Sequence, residues 1–139
     1  MSHGRSALSW LVFACLGLAG AIASGCQPRE NDVELVQRTR PPPSKAAAVD
    51  TPWSTDQPST VTLSDGVVMS VGCWDNCDYK CESPELVVAD DSFVQVRTTY
   101  RLDGAAPEHV LIARSPGTTT LTVSTRCAAR EYAVTVLAP

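Results

Sequence analysis

The side chains best suited to chemistry are four cysteines in the second half of the chain: Cys73, Cys77 and Cys81 recur every four residues, and Cys127 stands apart. Oxidised, they pair as two disulfides, with the connectivity open. As thiolates they supply four soft ligands. Zinc sites, however, usually group cysteines in close pairs or with histidines, and the spacing is unlike ferredoxin runs. Asp75, Asn76, Asp78 and Glu82 offer oxygens, but without the spaced Asp and Gly pattern of a calcium loop. The expectation is therefore disulfides, with no metal and no other cofactor. A stapled loop would display Trp74 and Tyr79 beside Asp75, Asp78 and Glu82, the mix of aromatic and charged groups found at interface hot spots. The plainer alternative is that Trp74 packs under its own loop and the acids are simply solvated.

Nothing else in the sequence assembles a reaction centre, and no catalytic residue is expected. There is no Gly-x-Ser-x-Gly elbow, no His-Glu-x-x-His and no phosphate-cradling loop. His109 follows Glu108 at the start of a β-type run and reads as a surface position. Asp90 and Asp91 are adjacent, so in a strand they would face opposite ways, and they read as turn residues.

The remaining cysteines, Cys15 and Cys26, belong to the start of the chain. Residues 1–6 are polar with Arg5, residues 7–23 are apolar apart from Ser9, and Ala23-Ser24-Gly25 are small. That order is a secretory signal, and its apolar run is short for a membrane span, which needs about 20 residues. Ala23-Ser24-Gly25-Cys26 resembles the cleavage box of bacterial lipoproteins, with Ala23 where Leu is usual. The resemblance implies removal of residues 1–25, palmitate-type acylation of Cys26 and attachment to a membrane through that lipid anchor. Gln27 after the anchor, rather than Asp, resembles the outer-membrane class; which face of the membrane is left open.

Removing residues 1–25 takes Arg5 and no acid, so the formal net charge moves from −4 to −5. An acidic chain without clustered Lys and Arg excludes nucleic acid as a partner. Residues 26–58 hold the anchor and six of the ten prolines, with few large apolar side chains. They read as a disordered, Pro-rich tether that lifts a domain off the surface.

The elements that would position the cysteines begin at residue 59. Short β-type runs follow one another: 59–63, 67–71, 86–88, 93–100, 109–113, 118–125 and 131–137, separated by Ser64-Asp65-Gly66, Asp103-Gly104 and Ser115-Pro116-Gly117. Inward residues include Val61, Leu63, Leu121, Val123, Tyr132, Val134 and Val136. About seven such strands with turns between them predict an all-β sandwich over residues 59–139.

Within it, Phe93-Val94-Gln95-Val96, Val110 through the Ser115-Pro116-Gly117 turn to Val123, and Tyr132-Ala133-Val134-Thr135-Val136 resemble the bacterial immunoglobulin-like domain of the group 2 type. Two departures stand out: no tryptophan near Val87 and Val88, and a Cys-rich, acidic stretch where the second strand usually lies. The resemblance implies an immunoglobulin-like β-sandwich in a cell-envelope or adhesion-type role, and no reaction. It also implies that residues 73–85 and 126–130 are loops at the same pole, so that one clustered cysteine, with Cys81 favoured as nearest the third strand, pairs with Cys127 and the other two pair locally. The expected role is non-catalytic: binding a protein or glycan of the envelope, or serving as a structural part. The competing reading is a metal-binding protein or small enzyme built on Cys73, Cys77, Cys81 and Cys127.

Overall fold

A computed structural model describes residues 32–52, 56–75, 84–100, 102 and 107–139. These residues form nine strands: β1 (Val33–Gln37), β2 (Ala47–Asp50), β3 (Ser59–Ser64), β4 (Val68–Asp75), β5 (Glu85–Val88), β6 (Val94–Thr99), β7 (Glu108–Ala113), β8 (Gly117–Ser124) and β9 (Ala129–Leu137). One sheet has the order β1-β4-β7-β6 and the other β2-β3-β9-β8-β5.

Alternation decides which face each strand buries, because successive side chains point to opposite sides of a sheet. Met69 and Val71 on β4, Leu111 on β7 and Val94 on β6 meet Val61 and Leu63 on β3, Tyr132, Val134 and Val136 on β9, and Leu121 and Val123 on β8 in one core. The chain is therefore all-β and packs two sheets face to face. β4-β7-β6 opposite β9-β8-β5 is the strand order of an immunoglobulin-like sandwich. β3 pairs with β9 in parallel, Val61 beside Val134, while the other pairings are antiparallel.

The strands predicted from residue 59 onward all form. The predicted Pro-rich tether does not extend over residues 33–50. β1 pairs with β4 and β2 with β3, with Val33 and Leu35 buried and Ala47 at the core edge. The reason is local alternation. Val33 and Leu35, then Ala47 and Val49, face inward at period two, a signal diluted by the prolines between them. Pro41-Pro42-Pro43 occupies the crossing from one sheet to the other, where no ladder hydrogen bond is needed from them. Arg38 N–H donates to Ser70 O at 2.8 Å, and Ala46 N–H to Ser64 Oγ at 2.8 Å, so both ends of the crossing are tied down.

A second correction concerns the predicted loop at 73–85. β4 runs on to Asp75 because β1 supplies its partner: Leu35 faces Cys73, Glu34 faces Trp74 and Val33 faces Asp75. The Ser115-Pro116-Gly117 turn has a packing reason. The ring of Phe93 lies over Gly117, where an added Cβ would come within 2.2 Å of it, so only glycine leaves the ring its place.

Candidate functional site

The cysteine-bearing end of the sandwich is built by the ends of several strands. β4 ends at Asp75, β1 begins at Val33, β5 begins at Glu85, β6 ends at Thr99, β7 begins at Glu108, and β9 begins at Ala129. Register places them together: Asp75 faces Val33, Thr99 faces Glu108, and Glu85 and Ala129 both face Ser124.

Cys73 and Cys127 are disulfide-bonded. Cys73 is partly buried against the core from β4. Cys127 lies in a tight turn in which Thr125 Oγ1 accepts from the N–H of Cys127 and of Ala128, each at 3.2 Å, while Thr125 N–H donates to Ala128 O at 2.8 Å. A serine- or threonine-type turn of this kind fixes the backbone where the staple attaches. Cys77, Cys81, Asp78, Tyr79 and Glu82 lie outside the described residues, as do Cys26 and the signal segment.

Two members of the predicted binding tip are placed differently from expectation. Trp74 is half-buried in strand β4, beside Glu34 on the outer face of its sheet. Asp75 is buried, 3% exposed, and alternates to the inner face with Cys73. Pairing with β1 is the cause in both cases. Neither stands on a projecting loop.

His109 is also inside rather than on the surface, at 2% exposure. Its Nδ1 lies 3.0 Å from Thr98 Oγ1, and its Nε2 is buried without a hydrogen-bond partner. Burial holds its pKa below the usual histidine value, since the charged ring would lose its hydration. The parity of β7 carried this information: His109, Leu111 and Ala113 share one face.

Sequence reasoning missed a polar cluster that fastens the first strand. Arg130 shares the inward face of β9 with Tyr132. Its Nε donates to Asp32 Oδ1 at 3.0 Å, its Nη2 to Asp32 Oδ2, and its Nη1 to Ser59 Oγ at 2.9 Å. The hydrogen bond to Asp32 is the main reason the guanidinium holds its proton more tightly than usual, against a smaller opposing effect of burial. Two residues along β9, the fully buried Tyr132 hydroxyl accepts from Leu35 N–H at 2.8 Å and lies 3.0 Å from Thr51 Oγ1. Burial, the leading cause, raises the phenol pKa. An inward arginine at a strand mouth needs an acid, and that requirement was the available signal. Among the described residues no three His, Cys, Asp or Glu side chains are grouped to hold a metal.

No protein-family model matches the chain, and no curated protein matches it. Among solved structures, the chain is similar to surface layer protein SbsC, domains 1–6, at 18% identity over 76% of this chain and 14% of that one, with a TM-score of 0.44. It is also similar to domains 4 and 5 of the S-layer protein SbsC, at 16% identity over 75% of this chain and 54% of that one, with a TM-score of 0.41. The chain thus spans 54% or less of the length of these two structures.

Proposed function

We propose that the chain is an exported lipoprotein, anchored through Cys26, that holds a small disulfide-stapled sandwich at the cell envelope in a non-catalytic binding or structural role. The observation that carries the reading is Cys26 itself. It follows a basic start, an apolar run and three small residues, and it precedes the first described residue of the domain, Asp32, by only a few positions. The disulfide-bonded state of Cys73 and Cys127 supports an oxidising compartment beyond the cytosol. It also weighs against the metal-binding alternative, which needs these sulfurs as thiolates.

Acylation is tested by mass analysis of the N-terminal peptide and by fractionation. The acylated chain sediments with membranes, and Cys26→Ser leaves it unprocessed or in the soluble fraction. An unmodified Cys26 would refute the anchor. For the four downstream cysteines, loss of four thiol hydrogens with no bound zinc is expected; free thiols with stoichiometric zinc would refute the staple. Affinity capture with the acylated chain, outer-membrane fractions included, would identify a protein or glycan partner.

A further inference from the structure

The chain joins the sandwich at one defined end. Arg130 grips Asp32, and β1 starts at Val33 opposite Asp75, the last residue of β4. Cys26 stands six residues before Asp32. Six residues reach at most about 20 Å when fully extended, and about 13 Å as a relaxed coil. The nine residues of β9 run from this end to the other, and a strand of that length spans about 30 Å. The connection is therefore shorter than the domain it holds.

The same end carries the most exposed large apolar side chains of the described residues. Tyr100 and Leu102, between β6 and β7, are 82% and 108% exposed. The opposite end has the turn at 65–67, the segment 89–93 and the segment 114–116, where Asp91 and Arg114 are exposed and the apolar Val68 and Leu137 are exposed less fully, at 57% and 41%. A tyrosine and a leucine that find no cover within their own domain suit the boundary between headgroups and acyl chains, where an aromatic ring keeps its hydroxyl wet.

We infer that the pole bearing Tyr100, Leu102 and the Cys73 end of β4 faces the lipid surface, so that the sandwich stands on the membrane with its 65–67, 89–93 and 114–116 end pointing away. The inference rests on the proposed anchor at Cys26. A connection of about 20 Å cannot carry the far end of a domain about 30 Å long down to the lipid, and the exposed apolar pair favours standing on this pole over lying on a sheet face. The outward end is then the surface left for any envelope partner.

The test uses the full chain, processed in a bacterium and reconstituted in phosphatidylethanolamine–phosphatidylglycerol vesicles. A nitroxide is attached through an unnatural ketone side chain at position 102 in one protein and at position 91 in another, and its height is read by relaxation from a nickel chelate on the headgroups. The label at 102 should lie within about 10 Å of the headgroups and the label at 91 about 25 Å further out, close to one strand length. Replacing Tyr100 with Ser in both labelled proteins should reduce that difference by letting the domain tilt. Equal heights, or a lower label at 91, with acylation of Cys26 confirmed by mass, would overturn the orientation and leave the anchor standing. Absence of acylation would overturn both.

Discussion

Removing one oxygen tests whether the first strand belongs to the domain. In Tyr132→Phe the ring stays, the core volume is nearly unchanged, and the Leu35 N–H loses its partner at 2.8 Å. That amide faces inward from an edge strand beside a fully buried ring, so water cannot easily replace the hydroxyl. Leaving a buried donor unpaired costs about 1–3 kcal/mol. The contact to Thr51 adds little, because Thr51 is only half-buried and can turn to water. With a urea slope of about 2 kcal/mol per molar, a loss of about 2 kcal/mol lowers the unfolding midpoint by about 1 M. Hydrogen exchange at the Leu35 amide should speed up more than exchange at Leu111 in the core. Were residues 33–50 a tether, Tyr132→Phe would remove a buried hydroxyl with no strand to serve and would be neutral or stabilising. An unchanged midpoint with unchanged exchange at Leu35 would refute the docking of β1.

Other outcomes follow from the same structure. Gly117→Ala should cost about 1–3 kcal/mol by pressing a methyl group into the Phe93 ring, read as a lower urea midpoint; Phe93→Leu in the same chain should recover part of the loss. His109 has a folded pKa below its unfolded value of 6.5, so the unfolded chain binds more protons on acidification. Its contribution is full above about pH 6.5 and is lost as pH falls through the lowered folded value; His109→Gln should flatten the slope of stability below about pH 6.5. Reduction of the disulfides that include Cys73 and Cys127 should cost about 2–5 kcal/mol, measured as the midpoint shift on adding a thiol reductant. Asp32→Asn should cost no more than about 1 kcal/mol, since the pair with Arg130 is partly exposed.

Much of this fold was legible because alternation is a local property. Val61 and Leu63, or Tyr132, Val134 and Val136, announce a strand and its buried face without knowledge of the partner. β1 and β2 were hidden for the opposite reason. Five and four residues long, they are separated by three consecutive prolines, and averaged over residues 26–58 they read as polar and unpacked. Their strand character depends on β4 and β3, which no local pattern reveals. The same dependence moved Trp74 and Asp75 from a supposed loop into a strand. His109 was misjudged by residue type, although its parity with Leu111 pointed inward. Arg130 and Asp32 are 98 residues apart and carry no shared motif, so only folding brings them together.

The parallel pairing of β3 with β9 also sets the timing of assembly. A chain is synthesised N-terminal end first. Here β3 lacks its β9 neighbour, Leu35 lacks a hydroxyl 97 residues further along, and Asp32 lacks its arginine until the last of the nine strands arrives. Pairings so distant in sequence are slow to form. The earlier strands must therefore wait with open edges, the state in which a sheet is most prone to pair wrongly, until the final strand docks.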